Sequence, residues 1–119
     1  NPKLIKLDFE VNNDLDKNVT STNVEFSLNS KIDKINEQEA DVELDIKIGE
    51  KSDNFPFFIH LIIGSKFKLE EVINGTNFDA LLSINAPTLL LSYARPIIAS
   101  ITLQAGMKPL NIPFFNFTK

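Results

Sequence analysis

Four segments of this chain alternate apolar and polar residues with a period of two, the pattern of a β-strand buried on one face. In the first, Ile5, Leu7, Phe9 and Val11 face one way and Lys6, Asp8, Glu10 and Asn12 the other. The second sets Val24, Phe26 and Leu28 against Glu25, Ser27 and Asn29, and the run reaches Ile32. The third sets Val42, Leu44, Ile46 and Ile48 against Asp41, Glu43, Asp45 and Lys47. The fourth, Phe55 to Leu69, places Phe57, Ile59, Leu61 and Ile63 on one face but carries Phe58 and Ile62 on the other. A strand apolar on both sides is a central strand, or one whose outer face meets a partner. Asn13 to Asn23 reads as a polar linker, Lys34 to Glu39 as a turn, and Gly49 to Asn54 as a hairpin connection.

Past Asn74-Gly75-Thr76 the period changes. Phe78 to Ser83 predicts a short helical turn. The main helix is expected to start at Pro87, because a missing N–H costs nothing at the first helical position. It is expected to end before Gly106, which can take the left-handed C-terminal conformation. Pro96 inside it deletes a backbone hydrogen bond and predicts a kink or local distortion. Leu90, Ala94, Ile97 and Ile101 make one apolar stripe, widened by Leu89, Tyr93 and Leu103, and Arg95 is the lone charge between Pro87 and Leu103. A surface helix normally keeps a polar half. One face can cover the sheet and the other calls for a second chain, so Leu90, Tyr93, Ala94, Ile97 and Ile101 are expected at an oligomer interface, in a dimer or a tetramer. The elements add up to a single α+β domain over residues 1–119: a four-stranded antiparallel sheet followed by one long helix on one face.

Composition narrows the function. A chain of 119 residues buries a core without covalent staples. With no cysteine there is no disulfide framework, thiolate metal site or Cys nucleophile. A net charge of −4 argues against nucleic acid, which rewards basic surface. No apolar run reads as long enough to cross a bilayer, and no signal-like segment opens the sequence, so a cytoplasmic protein without membrane insertion is expected. Asn1 is not an initiator Met, and what precedes it is left open. Ten Phe stand beside one Tyr and no Trp. Phe carries apolar area without a polar handle, which suits cores and apolar grooves.

Catalytic chemistry is hard to assemble from these residues. His60 is the sole histidine, set in the apolar fourth strand without a partner pattern, and reads as structural. Glu70-Glu71 and the Asp8/Glu10 pair read as solvated faces, not as metal ligands, and no phosphate-cradling glycine motif occurs. Asn18, Asn74 and Asn116 open triplets of the glycosylation-acceptor type, which an Asn-rich chain produces by chance. No enzyme, cofactor or metal is expected. Asp8, Glu10, Glu25, Asp41, Glu43 and Asp45 would share the solvated side of the sheet, either for solubility or to dock a basic partner.

The end of the chain resembles a known family. Pro87, Leu90, Leu91, Tyr93, Ala94, Arg95, Ile98 and Ser100, then Gly106, Pro109, Leu110, Asn111 and Asn116-Phe117, resemble the end of SecB, the bacterial protein-export chaperone. The family pattern there runs through Phe-Pro-Tyr-Ala-Arg, an apolar helix, Gly-Thr-Phe-Pro, and a closing Asn-Phe. Upstream, Phe9-Glu10, Val24 to Asn29 and Phe67 keep the same order. The resemblance implies a Greek-key antiparallel sheet, a long helix packed between subunits, and a dimer of dimers. It implies ATP-independent holding of unfolded clients in apolar grooves, at positions that include Phe26, Phe57, Phe115 and Phe117. It implies a sheet face that docks SecA, where Glu10 keeps an acid and Phe58 an apolar contact. Lys6 and His60 stand where acids are expected there, which counts against SecA as a partner. The sequence stops at Lys119, ahead of the family's second helix and basic, zinc-binding tail.

The leading reading is thus a SecB-like holdase, serving export or a dedicated client such as an antitoxin. A folded assembly or adaptor subunit that keeps the scaffold without holding clients is the alternative. The identity of the client is not in the sequence.

Overall fold

The computed structural model describes residues 1–12, 26–49, 57–69 and 78–106. Strands β1 (Lys3–Val11), β2 (Phe26–Lys34), β3 (Glu39–Ile48) and β4 (Phe57–Lys68) are followed by a short α1 (Phe78–Ala80), a π-helical segment (Leu81–Asn85) and α2 (Ala86–Gln104). The strands form one antiparallel sheet in the order β1-β4-β3-β2. Two consecutive pairings, β2 with β3 and β3 with β4, are closed by β1 returning beside β4, which is a Greek key. The doubly apolar fourth strand is central, one of the two readings its pattern allowed, and β1 and β2 are the edges among the described strands.

The period-two pattern sorts β3 and β4 cleanly. Val42, Leu44, Ile46 and Ile48 on β3, and Phe57, Ile59, Leu61 and Ile63 on β4, are buried beneath the helix. Asp41, Glu43, Asp45 and Lys47 alternate onto the other face. The turn between β2 and β3 closes with Ile35 and Asn36 N–H groups donating to the Glu39 carbonyl at 2.9 and 3.2 Å. Asn36 Oδ1 accepts the Gln38 N–H at 2.8 Å, a side chain standing in for a backbone turn.

Strand β1 departs from its simple alternation. Leu7, Phe9 and Val11 lie opposite Leu61, Ile59 and Phe57, on the helix side, and the Phe9 ring stacks on Phe57 at 5.7 Å. Between Leu4 and Lys6 the register slips, so Leu4 lies opposite Ile63 and Lys6 opposite Ile62. A one-residue slip flips the side chain to the other face. Ile5, expected in line with Leu7, instead lies over Gly64 on the outer face, where an added Cβ would come 2.9 Å from Ile5 Cδ1, 3.2 Å from Glu43 Cγ and 3.2 Å from the Val42 carbonyl oxygen.

The helix is longer than its sequence signals suggested. It runs without a break from Phe78 to Gln104, 27 residues, and Pro87 lies inside its path instead of opening it. Pro87 cannot donate, and its ring crowds the carbonyl four residues back, that of Ser83. The π segment just before it widens the turn, with the Ala86 N–H reaching back to the Leu81 carbonyl. Thr88 Oγ1 donates to the Ile84 carbonyl at 2.7 Å. Helical geometry also continues through Pro96, an exposed residue. At the far end Gly106 takes φ +81° and its N–H bonds the Leu103 carbonyl at 3.0 Å, the expected glycine stop.

By length and composition this helix is apolar enough to cross a bilayer, contrary to the reading of the sequence, yet its apolar stripe is laid on the sheet. The buried stripe is Pro87, Leu90, Leu91, Ala94, Ile98 and Thr102, flanked by half-buried Ile97 and Ile101. Leu90 and Ala94, expected between subunits, are fully buried in the core of this one chain. Leu91 and Ile98 share that core, whereas Leu89, Tyr93 and Leu103 are exposed on the outward side.

Gly64 and Ile5 should couple. Gly64→Ala is expected to cost about 1 kcal/mol, through crowding against the Val42 carbonyl and Ile5. In combination with Ile5→Ala the loss should be smaller than the sum of the single changes, as read by urea unfolding. Strict additivity would mean that Ile5 does not sit over Gly64.

Candidate functional site

The two faces of the sheet offer different chemistry. On the outer face β4 presents Phe58, His60 and Ile62 between the acids of its neighbours. Glu10 lies opposite Phe58, Asp8 opposite His60, and His60 opposite Lys47. The structure thus brings Glu10, Phe58 and His60, expected on a docking face, into one shallow depression with Asp8 and Lys47. A lysine and the histidine are interleaved with the acids. Lys6 Nζ lies 3.4 Å from Asp8 Oδ2, and His60 Nε2 lies 3.0 Å from Asp45 Oδ1. Asp45 is the partner that sequence reading missed for His60. Its signal is the strand register, which sets Lys47 opposite His60 and so puts Asp45 on the neighbouring diagonal. The exposed Lys6–Asp8 pair contributes little to stability, so its main effect is on the sign of the surface.

The helix side is apolar and only partly covered. α2 packs mainly on β3 and β4, and β2 meets the helix chiefly at the π segment. Phe26 and Ile32 on β2 consequently remain 40% and 38% exposed, with Leu28 half-buried between them. Phe57, expected in a groove with Phe26, is instead a core residue at 4% exposure. Phe115 and Phe117 lie outside the described residues, as do Glu25, the Asn13–Asn23 linker, the Gly49–Asn54 connection past its first residue, and the chain after Gly106.

Lys34 ties the end of β2 to the start of the helix. Its Nζ lies 3.1 Å from Asp79 Oδ1 and 5.9 Å from the centre of the Phe78 ring. Asp79 also sits in the first helical turn, where the helix dipole favours a negative charge. Beside this tie Phe67, Leu69, Phe78, Leu81, Leu82 and Leu89 line an apolar hollow of about 320 Å³. A second apolar notch joins Leu7 of β1 to Pro96, Ile97 and Ile101 of α2.

Of the expected interface set, Tyr93 is exposed, Ile97 and Ile101 border this notch, and Leu90 and Ala94 lie in the core beneath. Arg95, noted in the sequence as the lone charge between Pro87 and Leu103, has its Nε buried with no acceptor among the described residues. Among those residues no group of three or more His, Asp or Glu could hold a metal ion.

This architecture has known counterparts. A family model described as preprotein translocase subunit SecB matches residues 6–119. The protein-export protein SecB of Rickettsia felis is 32% identical over 96 residues, covering 79% of this chain and 62% of its own length. That of Magnetococcus marinus is 26% identical over 95 residues, covering 78% and 60%. The chain therefore spans about three fifths of the length of these relatives. Among solved structures, a SecB-like chaperone of Mycobacterium tuberculosis, in complex with a ChAD peptide from the HigA1 antitoxin, superposes with a TM-score of 0.72 over 98% of this chain and 85% of that one, at 10% identity. A Streptococcus agalactiae protein of unknown function shares the fold at a TM-score of 0.54 and 11% identity, over 96% and 94% of the two chains. With the Greek-key sheet, the single long helix and a family match over nearly the whole sequence, the chain belongs to the SecB family.

Proposed function

We propose that this chain is an ATP-independent holdase that binds extended apolar segments of non-native proteins, in the service of protein export. The observation that carries the proposal is the pair of exposed apolar residues Phe26 and Ile32, with half-buried Leu28 between them, on a strand that is an edge among the described residues. Extended chains suit such a place, because main-chain groups can add to the edge while alternate side chains enter the apolar row. Burial of client side chains supplies most of the affinity. Family membership, and relatives named as protein-export proteins, support the same reading. The SecB-like chaperone with an antitoxin peptide supports an extended polypeptide as the client.

Self-association belongs to this reading. The outward half of α2 carries Leu89, Tyr93 and Leu103 exposed, among Ser92, Pro96 and Ser100, with no acid or base between them. Large exposed apolar residues interleaved with small ones favour close approach of a second copy. Docking of SecA on the outer sheet face is disfavoured, because Lys6 stands beside Asp8 and offsets its charge toward a basic partner, and His60 stands where an acid is expected and engages Asp45. A soluble, cytoplasmic setting accords with a holdase whose apolar helix is seated on its own sheet.

Two measurements test these statements. Mixed at a stoichiometric ratio with a reduced, denatured substrate, the protein should suppress most of the light scattering from aggregation without added nucleotide. Absence of protection, together with no calorimetric binding to the unfolded chain, would sink the holdase reading. For assembly, Tyr93→Asp combined with Leu103→Asp should lower the light-scattering mass toward one subunit while the circular dichroism stays folded. Leu90→Asp should instead unfold the chain, because its charge would be buried unpaired. A double variant that keeps the parent mass would place the interface elsewhere.

A further inference from the structure

We infer that the client site on β2 reads a period of two, selecting segments of about seven residues that are apolar at alternate positions and polar between them. This rests on the holdase reading above and names the class of client, a segment with the pattern of an amphipathic strand.

The two faces of β2 carry opposite chemistry. One row, Phe26, Leu28, Ser30 and Ile32, lies opposite Ile48, Ile46, Leu44 and Val42, so it shares the helix side of the sheet. The other row, Ser27, Asn29, Lys31 and Asp33, lies opposite Lys47, Asp45, Glu43 and Asp41 on the outer side. That outer row is polar throughout, and Asn29 Nδ2 donates to Ser27 Oγ at 3.2 Å along it. Phe26 and Ile32 are exposed although their row continues into the core. The reason is that β2 is an edge among the described strands, and α2 packs mainly on β3 and β4.

An edge strand dictates the conformation of what joins it. Its outward N–H and C=O groups are met by another extended chain, whereas a helix pairs its own backbone groups and leaves those of the edge to water. Successive side chains of an added strand alternate between faces. Every second one would lie beside Phe26, Leu28, Ser30 or Ile32, and those between beside Ser27, Asn29, Lys31 or Asp33. Apolar residues at every second position therefore all reach the apolar row. Apolar residues at helical spacing, i, i+3, i+4 and i+7, divide evenly, because i and i+4 fall on one face and i+3 and i+7 on the other. Half of them then stand among charges and hydroxyls, still in water, and add nothing to affinity. Order, not composition, decides binding.

The test uses the full chain and two synthetic peptides of identical composition, Leu with Ser, Thr and Lys. One carries Leu at alternate positions and the other carries it at i, i+3, i+4 and i+7. Calorimetry should show the alternating peptide binding about tenfold tighter, since more of its Leu side chains leave water. In the double variant Phe26→Ser with Ile32→Ser, both at exposed positions, the circular dichroism should match the parent and the two peptides should bind alike. Equal affinities for the parent chain would overturn the inference. So would a preference that survives in the double variant, which would put the site elsewhere. A lower light-scattering mass of the variant would make a second copy the occupant of the row, and overturn it too. The reduced, denatured substrate separates the two readings. A parent chain that binds it yet ranks the peptides equally keeps the holdase reading and loses this one, while a parent that binds neither loses both.

Discussion

Everything else in this fold depends on the seam between α2 and the two central strands. Alternate residues of β3 and β4 from Val42 to Ile63 present an unbroken apolar surface, and the Leu90, Ala94 and Ile98 stripe seals it. Neither partner stands alone, because the sheet would expose one whole apolar face and the helix would expose a side with almost no polar residue. A single helix is narrower than four strands. Seated over β3 and β4, it leaves the edge strands part-covered, and the exposed Phe26, Ile32 and Leu4 follow from that geometry. The open apolar row is a consequence of where the core closes.

The sheet was legible because period two admits few alternatives. On β3 the polar residues are charged and the apolar ones branched, so face and register are specified together. Phe58 and Ile62 marked the fourth strand as central or as one whose outer face meets a partner, and the strand order gives the first of these. Ile5 was misplaced because a bulge adds a residue without changing composition, and its cause lies far off in sequence, at Gly64. The helix defeated its pattern for a different reason. Being apolar nearly all round, it carries no polar half to fix its rotation, so Leu91 and Ile98 could not be told from Ile97 and Ile101. The π segment then shifts the phase once more, and makes a proline that signals a helix start compatible with a helix interior.

The site was legible only in part. Phe26 was found exposed, since an edge strand at the rim of the sheet keeps its side chains open. Phe57 was not, because its neighbour Phe9 on the other edge closes over it, a contact set by pairing across the Greek key. Glu10, Phe58 and His60 do share a face, but their meaning changes once Asp45 and Lys6 are added. An acidic strand pattern becomes a surface of mixed sign, and sign is what steers a charged partner.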